Sequence, residues 1–193
     1  MEIPGYREAV EKETTAREAS YLGVSELVCG VPLLPLTPRR FLILDIVGSP
    51  FVSGGNPTAA DIALFLWACS PDYNPEKPSK FRRWLFIRRC RKLIVKDAVD
   101  GIRQYVTDAL QDAPGSSGQS GPASTSWISS IVDSLAREYG WSEAHILDMP
   151  LKRVFQYFRV ITRRNNPKAN FFNPSDRVRG DWLRKINEET EKN

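Results

Sequence analysis

The chain has 193 residues, 41% of them hydrophobic and 26% charged, which is the balance of an ordinary globular protein and excludes wholesale disorder. Its net charge of +4 hides an asymmetry: residues 1–76 carry ten acids and five bases, while residues 77–193 carry thirteen acids and twenty-two bases. A basic half of this kind expects an anionic partner (nucleic acid, an acidic protein surface or a membrane surface), or else a solvated helix face.

In chain order, residues 5–20 are rich in Glu, Arg and Ala and predict a helix with a thin apolar stripe, a peripheral element or an arm. Val28 to Leu36 contains Pro32 and Pro35, which predict an extended path packed on the core. Thr37-Pro38 reads as an N-cap with a first-turn proline, opening a helix from Arg39 to about Val47 that Gly48-Ser49-Pro50 stops. After a turn cluster at 53–58, Thr58 and Asp61 form a T-x-x-D start. The helix from Ala59 to about Ser70 is apolar almost all round and belongs inside a bundle. Ser79 to Asp112 predicts one long helix or two in series, with Gly101 as the weak point.

Residues 113–124, Ala-Pro-Gly-Ser-Ser-Gly-Gln-Ser-Gly-Pro-Ala-Ser, have the composition of a flexible linker. Beyond it a second module is expected: a helix over 127–139 ended by Gly140, a short helix over 143–148 capped by Ser142, a third from Leu151 to about Arg164, and a charged final helix over 176–191. No stretch alternates for long enough to demand a sheet. The expected architecture is therefore all-α: a helical domain over 1–112, a linker over 113–124, and a small helical module with a basic tail over 125–193. The oligomeric state is left open, with an oligomer compatible with the composition.

Catalytic chemistry finds little support. The chain has one histidine, His145, without a companion Cys or carboxylate pattern. Cys29, Cys69 and Cys90 are widely spaced and expected to be small buried hydrophobes in a reducing cytoplasm. Ser53-Gly54-Gly55-Asn56-Pro57-Thr58 lacks the lysine of a phosphate loop. Asp45 and Asp61 are expected in ion pairs or on exposed faces, with Arg39 or Arg40 as a partner. No catalytic residue, metal ligand or cofactor is assigned, and neither a signal peptide nor a membrane span is expected.

The sharpest local feature is Lys80 to Lys92, with seven bases, no acid, and Phe81, Trp84, Leu85, Phe86 and Ile87 interleaved. A helix built from it presents Arg82, Arg83, Trp84, Arg88 and Arg89 to phosphates, to an anionic membrane or to an acidic protein, or is a core helix with an arginine-rich outer face. Lys152, Arg153, Gln156 and Arg159 on the third helix of the second module also admit a helix-turn-helix reading.

Two stretches carry a family likeness. One runs Leu44-Asp45-Ile46-Val47-Gly48-Ser49-Pro50-Phe51, through the Gly-Gly turn, to Asp61-Ile62-Ala63-Leu64-Phe65-Leu66-Trp67 and Ser70-Pro71-Asp72-Tyr73. The other is Leu135-Ala136-Arg137-Glu138-Tyr139-Gly140-Trp141-Ser142-Glu143 with Ile146-Leu147-Asp148-Met149-Pro150-Leu151. Over roughly a third of its length the chain resembles the tail assembly chaperones of tailed bacteriophages and prophages. The resemblance implies a non-enzymatic role in the host cytoplasm, binding the tape-measure protein while tail tube subunits assemble. The basic 80–92 segment and the basic tail depart from that family and keep open a nucleic-acid-binding, head–tail connector or packaging role. Under the assembly reading, apolar surface from 59–70 and 151–164, including Phe155 and Phe158, is expected to hold a partner helix, with the arginines of 80–92 adding an electrostatic contact.

Overall fold

The computed structural model describes residues 5–21, 23–74, 79–111, 113 and 127–166. The linker expected at 113–124, apart from residue 113, and the tail helix expected at 176–191 lie outside the described residues. Those residues form a mostly helical protein with one two-stranded hairpin: α1 (Tyr6–Tyr21), β1 (Glu26–Val28), β2 (Val31–Leu33), α2 (Pro38–Ile46), α3 (Pro50–Ser53), α4 (Ala59–Cys69), α5 (Lys80–Cys90), α6 (Val95–Leu110), α7 (Trp127–Tyr139), α8 (Glu143–Asp148) and α9 (Leu151–Asn165).

The helix starts follow from capping chemistry. Thr37 accepts the Arg40 amide at the head of α2, and Pro38 occupies the first turn, where its missing N–H costs nothing. At α4 the box is reciprocal: the Asp61 amide donates to Thr58 Oγ1 (3.4 Å) and the Thr58 amide donates to Asp61 Oδ2 (2.8 Å). Ser79 and Ser142 cap α5 and α8 with one side-chain bond each, accepting the Arg82 and His145 amides. The carboxylate of Asp61 is thereby spent on a helix terminus, and Asp45 is exposed on α2. Arg39 pairs with Asp148 and not with Asp45.

The hairpin is the element that composition did not announce. β1 and β2 pair antiparallel with Val28 opposite Val31, and the connecting Cys29 and Gly30 both have positive φ, +50° and +77°. That is the backbone of a type I′ turn, whose twist matches the strands it joins. Three-residue strands are too short to display alternation. The turn also exposes Cys29, contrary to the expectation of a buried thiol, because a residue at the tip of a tight turn is covered on one side only, here by α6 near Gly101.

α4 occupies the centre. Ile62, Ala63, Phe65, Leu66, Trp67, Ala68 and Cys69 are all buried, covered by α2, α5, α6 and β2. Phe65 meets Phe51 and Tyr105 edge-on (5.2 and 6.0 Å between ring centres), and Trp67 meets Phe86 at 5.2 Å. The long 79–112 segment breaks at 91–94 and not at Gly101, which lies within α6. A Cβ at Gly101 would stand 3.1 Å from Val28 Cγ1 and 3.6 Å from Cys29 Sγ, so the glycine allows the hairpin to lie directly on α6.

α7, α8 and α9 are docked on the elements that precede them in the chain. α7, α8 and α9 enclose Ile128, Ile131, Leu135, Ile146, Leu151, Val154 and Phe155, and these join the same continuous core. Trp127 bridges Phe41 of α2 (5.2 Å) and Phe155 of α9 (5.8 Å). α8 packs on α2, and α9 packs on α1 and α6.

Replacing Gly101 by Leu is expected to push the hairpin off α6 and to lower unfolding free energy by about 1–3 kcal/mol, the range for overpacking a filled site. Chemical denaturation of the two proteins side by side measures this; an unchanged midpoint would mean that the hairpin is not seated there.

Candidate interaction surface

α5 is attached by little: only Phe86 among its eleven residues is buried. Its contact with the body is made mainly to α4. Phe81, Trp84 and Leu85 are 67%, 53% and 41% exposed. With Arg88 they occupy i, i+3, i+4 and i+7, one stripe on the side away from the core. Phe81 and Trp84 stack with ring centres 6.2 Å apart, and the Arg88 guanidinium lies 5.5 Å from the Trp84 ring centre. Arg82, Arg83, Arg88 and Arg89 are all exposed, and none makes an ion pair among the described residues. The structure thus brings together five of the seven residues named from sequence, on one helix.

The other two do not join them. Phe155 is fully buried against Trp127, and Phe158 is half-buried on the core. Neither α9 through Phe155 nor α4, with seven of its eleven residues buried, offers the apolar groove expected of 59–70 and 151–164. In each case the hydrophobic run meets other helices of this chain.

Among the described residues, hollows flank α2 and α5; two bear on the site. The larger, about 500 Å³, opens at the head of α2 between Thr37, Arg39, Arg40, Tyr73 and Asp148. Arg39 grips Asp148 through both oxygens (Nε–Oδ1 2.6 Å, Nη2–Oδ2 3.1 Å), and this hydrogen-bonded guanidinium holds the Asp148 carboxyl below its ordinary range. A carboxylate so held is a structural clasp between α2 and α8. The smaller hollow, about 270 Å³, lies beside α5 between Phe86, Arg89, Cys90, Leu93 and the Val31–Pro32 edge of the hairpin.

Chemistry elsewhere is sparse. Among the described residues no group of three His, Cys, Asp or Glu residues could hold a metal ion, and no helix is long and apolar enough to cross a membrane. His145 is exposed beside Trp141 (5.7 Å). The Gly-Trp pair of the second resemblance stretch has a packing role: Gly140, at φ +65°, ends α7, and Trp141 stacks on Tyr139 (4.6 Å) and meets Tyr157 of α9 edge-on (4.9 Å). Cys69 is buried, and burial pushes its thiol up to about 12. Comparison with protein-family models, curated proteins and solved structures finds no match.

Two outcomes follow. A thiol-specific reagent at neutral pH is expected to modify Cys29 and Cys90 in the folded chain and Cys69 only on unfolding, as peptide mapping by mass spectrometry reads directly. Asp148→Asn is expected to cost less than about 1 kcal/mol at neutral pH, since the pair it breaks is exposed. Because the folded-state pKa of Asp148 is depressed, that contribution is present above the unfolded value and is lost as pH falls through the folded one. Melting curves of the variant and the parent are therefore expected to converge in strong acid; a constant gap would assign the difference to something other than the ion pair.

Proposed function

We propose that the chain is a non-enzymatic assembly factor of the tailed-phage type, which binds the tape-measure protein or tail tube subunits in the host cytoplasm during tail morphogenesis. The observation that carries a binding role is α5: an exposed aromatic stripe among exposed arginines, with no acid on the helix. The choice of a phage structural partner rests on the two stretches that resemble tail assembly chaperones. Large apolar side chains exposed next to cations without an ion pair among the described residues suit a surface that another macromolecule covers.

A second reading has its own support. The stacked Phe81–Trp84 pair with Arg88 over the indole has the ingredients of a single-stranded nucleic-acid platform.

Capture of the full chain from cells producing the phage, with bound proteins identified by mass spectrometry, is expected to recover a long, coiled-coil-rich tape-measure protein or a tail tube subunit. Recovery of neither counts against the assembly reading. That reading also expects no retention of duplex or single-stranded DNA at low salt. Retention that falls steeply with added salt, the signature of counterion release, would put the second reading first.

A further inference from the structure

An ordinary surface helix turns its apolar stripe inward. α5 buries Phe86 on Trp67 and turns Phe81, Trp84 and Leu85 outward, so its second apolar stripe has no cover among the described residues. The charges are arranged about that stripe. Arg82 and Arg89, seven residues apart, run along one edge, Arg88 closes its C-terminal end, and Arg91 and Lys92 extend the positive field past the helix. An apolar seam bordered by like charges is the layout of one half of a helix–helix interface, in which the partner supplies the opposite sign at the edges.

We infer that the outer face of α5 seats an amphipathic helix of the partner protein whose apolar stripe is bordered by Asp and Glu. The inference rests on the reading that the partner is a protein, and it names the element recognised. A second copy of this chain is the wrong occupant by charge, since it would bring seven bases against seven.

The test uses three fluorescein-labelled peptides of about eighteen residues, long enough to form a helix on docking. One carries Leu at i, i+3, i+4 and i+7 with Glu at the flanking positions. The second has Lys in place of each Glu. The third keeps the Glu residues and replaces each Leu by Ser. The full chain is expected to bind the first and neither of the others. Trp84→Ala combined with Leu85→Ala, both at exposed positions, is expected to weaken binding at least tenfold with an unchanged circular dichroism melt. Arg82→Glu with Arg89→Glu is expected to reverse the preference towards the Lys-flanked peptide. Equal binding of the Glu- and Lys-flanked peptides, or variants that bind as the parent does, overturns the inference. So does tighter binding of a single-stranded oligonucleotide or of anionic phosphatidylserine vesicles than of the Glu-flanked peptide. The two readings fail separately. Peptide binding without capture of a tail protein removes the phage role and leaves the helix seat. Capture of a tail protein that persists in the Trp84→Ala/Leu85→Ala variant places the contact elsewhere on the chain.

Discussion

The extended segment 34–36 holds the helices in register, because its backbone polar groups are distributed among four of them. The Leu34 amide donates to the carbonyl of Cys69 at the end of α4 (2.9 Å), and the Tyr105 hydroxyl of α6 donates to the carbonyl of Leu34. Arg40 of α2 reaches the carbonyl of Pro35 (3.4 Å), and the amide of Leu151 at the head of α9 donates to the carbonyl of Leu36 (2.8 Å). A helix end buried without partners is costly, and here one strand-like segment satisfies the C-terminal carbonyl of α4 and an N-terminal amide of α9 together. Its prolines suit this use. Pro32 and Pro35 have no amide to satisfy and hold the chain extended, while Leu33 and Leu36 are driven fully into the core.

That arrangement depends in turn on α4, which has no polar face to show to water and must be covered on every side. α2, α5, α6 and β2 cover it. α7, α8 and α9 then complete the core from the far side of α2, through Phe41 and Trp127 and through the clasp of Arg39 on Asp148. Aromatic edge contacts contribute about 0.5–1.5 kcal/mol each beyond the area they bury, whereas an exposed ion pair contributes at most about 1 kcal/mol. The docking is therefore held by buried ring surface, and the Arg39–Asp148 pair sets its orientation.

What was legible in the sequence follows the same physics. Thr37-Pro38, Thr58 with Asp61, and Ser142 mark helix starts because capping is local, encoded within four residues. The central place of 59–70 was also legible, since a helix apolar all round has nowhere else to go. Three features were not. The hairpin rests on two consecutive positive φ values at Cys29 and Gly30, and a cysteine does not advertise that conformation. Gly101 looked like a break because its use is tertiary, as room for Val28. Phe155 looked like surface because a periodic stripe states that a helix face is apolar without stating what covers it; the cover comes from Trp127, on a different helix. Five of the seven candidate residues lie exposed on one helix, because a run of bases within eleven residues is a local property.

The orientation of α5 could not be read from its pattern, since it has apolar residues on two sides and only one can face α4. Phe86 wins the inner position because the Trp67 ring meets it there, and at four residues' distance Cys90 extends the same inner row. Once Phe86 is inside, helical geometry forces Phe81, Trp84 and Leu85 out. The exposure is thus a consequence of the helix's attachment, and local rearrangement cannot relieve it: rotating α5 to bury Trp84 would lift Phe86 from Trp67 and turn Arg88, on the same stripe, toward the core, where an unpaired cation is far more costly than an exposed indole. The arginines then serve two ends. Under the proposed reading they disfavour a second copy of the chain on the exposed rings, and they set the sign of the partner that would cover them.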